Sequence, residues 1–116
     1  MPSARRVIAK SALHGHGPDG QVRLDLAGGA AALGRAKQLA ARDPRVEAFL
    51  LDDFSTGSLA AGARPEDLSR LQALNATQFR QLPLLGTVYE MSLEDERLWA
   101  CLPQFAGFLS PLWHAA

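Results

Sequence analysis

The sequence predicts an α/β fold, a parallel sheet of about four strands joined by βαβ crossovers. Three observations predict it. Short apolar runs of strand length alternate with segments whose apolar residues recur at helical spacing. The run Val46-Glu47-Ala48-Phe49-Leu50-Leu51 is nearly continuous in apolar side chains, as in strands buried on both faces. It ends abruptly in Asp52-Asp53 and a Ser/Thr/Gly loop, and parallel sheets carry their polar chemistry at that end of the strand.

Each element follows in order. Residues 7–13 (Val-Ile-Ala-Lys-Ser-Ala-Leu) form a first strand, interrupted by Lys10. His14-Gly15-His16-Gly17-Pro18-Asp19-Gly20 reads as a loop from its Gly and Pro content. Residues 21–26 alternate polar and apolar, as a short strand or a continuation of that loop. From Gly29 to about Arg42, Ala32, Leu33, Ala36, Leu39 and Ala40 fall on one helical face. Asp43-Pro44 closes that helix, because a residue before proline avoids the α region.

Residues 46–51 are the central strand, and residues 52–64 a long loop rich in small residues. Pro65-Glu66-Asp67 opens the next helix, with proline in the first turn and acids at the positive end of the helix dipole. Leu68, Leu71 and Leu74 supply its buried stripe. Residues 83–89 make a third strand that runs into Glu90. Ser92-Leu93-Glu94-Asp95 resembles a capping box, and Leu98 and Leu102 carry a helix to Pro103. Residues 106–113 read as a last strand at an edge or with a bulge, since Pro111 has no amide to donate.

The 116 residues make one domain, residues 1–116, with 47% hydrophobic and 21% charged residues, as in ordinary globular proteins. The 12 basic and 12 acidic residues cancel, which gives no electrostatic case for nucleic acid or an anionic membrane. No apolar stretch reaches the roughly 20 residues that span a bilayer. The single cysteine, Cys101, fits a reducing compartment and reads as a core thiol. A cytoplasmic protein is expected.

Four strands in βαβ connection are half of an eight-stranded barrel, which takes roughly 250 residues. The expectations are therefore a half barrel that a second copy or a missing half completes, or an open flavodoxin-like sandwich. In either, the carboxyl ends of parallel strands share one rim. His14 and His16, Asp52 and Asp53, Glu90, and His114 each follow a proposed strand, so they converge there. Asp52 and Asp53 point to opposite sides while the chain stays extended, so one faces the cleft and the other tethers the loop or caps a helix. Parity does not choose between them.

The series Asp52-Asp53-Phe54, Arg64-Pro65-Glu66-Asp67-Leu68, Leu82-Pro83-Leu84 through Val88-Tyr89-Glu90, and Phe108-Leu109-Ser110-Pro111-Leu112-Trp113 resembles the middle of (β/α)8-barrel proteins similar to glycoside hydrolases. The resemblance spans roughly residues 35–114. It implies cleavage of a carbohydrate by paired carboxylic acids, with Asp52 or Asp53 and Glu90 at the matching positions. Glu90 would be the acid, its pKa raised by desolvation from Tyr89 and Met91. Tyr89, Trp113, His114 and His14 would contact the sugar, while core packing is the simpler expectation for Trp99. No cofactor is implied.

A rival reading starts at His14-Gly15-His16. With Asp53 and His114, this His-x-His could hold a divalent metal such as zinc or manganese that activates water. A third reading has no catalysis: a half barrel serving as an assembly module, paired with a partner or a second copy.

Overall fold

Four parallel strands stand side by side in the order in which the chain makes them. The computed structural model describes residues 6–109. Its elements are β1 (Val7–Ser11), β2 (His14–His16), β3 (Val22–Leu24), α1 (Leu26–Arg42), β4 (Val46–Leu51), α2 (Pro65–Asn75), β5 (Leu84–Thr87), α3 (Glu96–Cys101) and β6 (Gly107–Leu109). The main sheet runs β1-β4-β5-β6, parallel throughout, and β2-β3 is a separate antiparallel hairpin. The expected α/β sheet with a helix between successive strands is therefore present.

Each crossover moves one strand along the sheet in the same direction, so right-handed connections leave all three helices on one face. α1 packs on α2, and α2 on α3. Phe49 and Leu51 of β4 and Leu84 of β5 belong to the core cluster, with Leu33, Leu68, Leu71 and Leu98 from the helices. The β4 strand is buried on both faces, as its composition implies.

Local rules account for the helix starts. Asp25 caps α1, its Oδ1 accepting from the Gly28 amide at 3.0 Å. α2 starts with Pro65, and the Asp67 carboxylate accepts from the Arg64 amide at 2.9 Å. α3 is capped by Asp95, which accepts from the Arg97 amide at 2.9 Å. The expected capping role of Ser92 is not taken, because residues Glu90–Ser92 form a separate 3-10 turn.

One strand boundary and the buried stripes of two helices differ from expectation. The first strand ends at Ser11, and the Gly-rich segment after it forms the β2-β3 hairpin rather than a plain loop. The buried stripe of α1 is Gly29, Leu33, Ala36, Lys37 and Ala40, whereas Leu39 is 42% exposed. In α2, Leu74 is likewise exposed and Asn75 is buried. The Asn75 side chain mimics a strand neighbour: it donates to the Leu82 carbonyl at 2.6 Å and accepts from the Leu82 amide at 3.0 Å. That clamp aims the chain from the end of α2 into β5.

Candidate functional site

The carboxyl ends of β1, β4 and β5 form one rim, and the histidine hairpin folds over it. The Asp52 amide donates to the Ser11 carbonyl at 2.7 Å, prolonging the parallel pairing by one residue. Asp53 then turns left-handed (φ 51°, ψ 40°), and the chain enters a π-helical turn over Phe54–Ser58. Aspartate tolerates this region better than most side chains because its short carboxylate bonds locally.

That left-handed turn separates the two carboxylates. Asp52 reaches across the sheet, where its Oδ1 accepts from the Thr87 hydroxyl at 3.2 Å and from the Asp53 amide at 3.0 Å. Asp53 points the other way, accepting from the Thr56 hydroxyl and standing 3.8 Å from His14 Nε2. Asp52 is thus the residue over the sheet, and Asp53 is the tether of the turn.

His14 links the hairpin to this turn. Its Nδ1 lies 2.8 Å from Ser58 Oγ, which also accepts from the Leu13 amide at 3.3 Å. Every group finds a role when the serine hydroxyl donates to Nδ1 and the Nε2 proton faces Asp53. The imidazole lies against Gly57, where an added Cβ would sit 2.3 Å from His14 Cε1. Serine, histidine and aspartate here follow one another as in a nucleophilic triad. Ser58 is fully buried, however, so no substrate carbon reaches its Oγ, and the chain of contacts is structural.

Tyr89 borders the same rim. Its amide donates to Ser55 Oγ at 3.1 Å. Burial pushes the phenol pKa up, and the negative charges of Asp53 and then Asp52 push it further. Beyond Tyr89, the 3-10 turn begins with Glu90. The desolvation expected for Glu90 is absent: Glu90 is exposed and Met91 is 79% exposed. β5 ends at Thr87, so the turn that follows it swings Met91 into solvent.

Glu90 instead borders an open groove of about 600 Å³, with Tyr89, Leu93, Trp99, Leu102 and Phe108 on its walls. Trp99, expected in the core, is 56% exposed there. Its indole N–H donates to the Leu93 carbonyl at 2.7 Å, which holds the ring at the groove wall. Among the described residues no hydrogen bond or ion pair joins Glu90 to Asp52 or Asp53.

The rim thus gathers His14, Asp52, Asp53 and Tyr89, with Glu90 one step away in the groove. Ser55, Ser58 and Thr87 hold this cluster and carried no signal in the sequence, since their partners lie 34 to 45 residues away. Trp113 and His114 lie outside the described residues. His16 is exposed, its ring 6.4 Å from that of His14 and steeply inclined to it. Among the described residues, no three His, Cys, Asp or Glu side chains gather to hold a metal ion. His14, His16 and Asp53 are the described members of the expected donor set, and the fourth, His114, lies outside the described residues. Cys101 is buried in the core, where desolvation pushes its thiol pKa up.

The fold and rim define a parallel α/β protein with an acidic, aromatic carboxyl-end cleft. Comparison with protein-family models, with curated proteins and with solved structures finds no match. No helix among the described residues is long and apolar enough to cross a membrane.

Proposed function

We propose that this protein is a hydrolase acting on a carbohydrate through carboxylates at the carboxyl ends of β4 and β5. Asp52 is the base or nucleophile and Glu90 the acid that protonates the leaving oxygen. The observation that carries the reading is a groove in which Glu90 stands beside exposed rings. Trp99 and Phe108 are 56% and 43% exposed in the groove that Glu90 borders. Aromatic faces of this kind suit the apolar faces of sugar rings.

Asp52 is the better partner for Glu90 than Asp53. It leans over the sheet towards Thr87, while Asp53 is occupied with Thr56 and His14. The Tyr89 phenol, protonated at neutral pH, is a hydrogen-bond donor or acceptor on the groove wall beside Glu90. Paired acids of this kind contribute about 10²–10⁴-fold each to the rate.

A panel of chromogenic glycosides tests the proposal. Turnover of at least one member is expected, falling about a hundredfold or more in both Glu90→Gln and Asp52→Asn. No turnover on any member, or unchanged turnover in Glu90→Gln, refutes it.

A further inference from the structure

We propose that the groove between β5 and α3 binds a small organic cation carried on an apolar body, such as an aryl or alkyl ammonium. This inference stands on the groove alone and does not depend on hydrolysis. The volume of about 600 Å³ lies within the range of small-molecule sites. Its walls are mostly apolar, with Leu93, Leu102 and Phe108 beside the Tyr89 and Trp99 rings. Three of its apolar side chains, Leu93, Trp99 and Phe108, are between 43% and 56% exposed. Contiguous exposure of that kind marks a binding surface rather than a scatter of surface residues.

Charge selects the ligand. Among the described residues the groove is bordered by one ionisable carboxylate, Glu90, and no lysine or arginine lines it. The nearest basic side chain along α3, Arg97, is occupied by the Asp95 carboxylate and the Leu59 carbonyl. Asp52 and Asp53 raise the phenol pKa of Tyr89 at the inner end, so their negative field reaches that wall. An anionic ligand meets only repulsion here. A cation finds a carboxylate, and ring faces whose quadrupole attracts positive charge. The indole is held by its bond to the Leu93 carbonyl, so the Trp99 ring loses little freedom on binding.

Fluorescence titration of Trp99 in a Trp113→Phe background tests the assignment, with benzyltrimethylammonium as the cation. Benzyl alcohol and benzoate are the neutral and anionic comparisons. The cation is expected to change the emission saturably and to bind about tenfold or more tighter than either comparison. Glu90→Gln should lower that affinity about tenfold, and raised salt should weaken it. Trp99→Phe, read by calorimetry, should weaken it about threefold, since a smaller ring face remains. Trp99 and Glu90 are both exposed, so these variants fold. Absence of saturable binding, equal affinity for benzyl alcohol, or affinity unchanged in Glu90→Gln overturns the proposal. Binding by a protein that cleaves no glycoside leaves it standing and removes only the hydrolytic reading.

Discussion

Replacing Lys37 by methionine measures what joins the two long helices. Lys37 is 3% exposed in the middle of α1, and its ammonium donates to the carbonyls of Leu74, Asn75 and Thr77 where α2 ends. The last carbonyls of a helix have no amide partner within it, and a positive charge there also opposes the dipole. Burial acts the other way and lowers the lysine pKa from its ordinary value. The carbonyls decide the balance. Leu74 O also receives the Thr77 amide and hydroxyl, so the substitution leaves chiefly Asn75 O and Thr77 O without a donor. At about 1–2 kcal/mol for each stranded acceptor, the loss is about 2–4 kcal/mol.

Methionine keeps the unbranched apolar stem, so lost packing contributes little. For a chain of 116 residues the entropy of unfolding near the midpoint is about 0.24 kcal/mol/K, which converts the loss to about 8–16 °C in Tm. Calorimetry of wild type, Lys37→Met and Lys37→Arg is the assay, and arginine should retain part of the stability because it keeps charge and donors. A Lys37→Met protein within about 0.5 kcal/mol of wild type refutes the reasoning. A more stable one refutes it too, since desolvation of the ammonium would then outweigh its hydrogen bonds.

Three further outcomes follow from the same geometry. Tyr89 is the single tyrosine, so its ultraviolet titration reads one phenol. Asp53→Asn should lower its midpoint more than Asp52→Asn does, because the Asp53 charge acts on it more strongly, and a midpoint unmoved by either variant contradicts that placement. Asp43 is held at about 2 by hydrogen bonds from the Arg45 side chain and amide. Its folded pKa is depressed, so its stabilising effect is complete above the ordinary 3.8 and fades as pH falls towards about 2. Denaturation midpoints of Asp43→Asn should change less than those of wild type across that window, and parallel pH profiles would count against the pair. Gly57→Ala drives a methyl into the His14 ring, with an expected loss of about 1–3 kcal/mol and a shifted His14 imidazole resonance. Wild-type stability with an unmoved resonance would mean that the ring does not rest on that backbone.

The strand–helix alternation was legible because β4 announces itself: six residues, five of them apolar, closed by two acids. The stripe of α1 keeps the expected Leu33, Ala36 and Ala40 but takes Lys37 in place of Leu39 for a physical reason. Lys37 is buried by an acceptor set at the end of α2, about 40 residues on, and no local pattern encodes such a cage. The displacement of Leu74 by Asn75 has the same cause, a polar side chain buried to satisfy the Leu82 backbone. The hairpin His14–Leu24 was hidden by its glycines, which mark a turn but not the strands beside it. Trp99 was misjudged because an aromatic residue at helical spacing is usually core, and α3 is too short to bury both of its faces.

The convergence of His14, Asp52 and Asp53 followed from parallel topology, but the separate tasks of the two aspartates did not. One backbone angle decides it. In an extended chain Asp53 would face away from Asp52 across the sheet. In the left-handed conformation it accepts from Thr56 and faces His14, so its carboxylate adds to the tie that Ser58 makes between the π-helical turn and the hairpin. A non-glycine residue in that region costs about 1–2 kcal/mol, which the contacts to Thr56 and His14 offset. The tether in turn closes the rim on its hairpin side, with Ser58 buried beneath it. What remains open is the side bounded by Tyr89 and Glu90, and there Glu90 and the exposed rings meet. A ligand of the proposed groove has its approach from α3, not from the histidine hairpin.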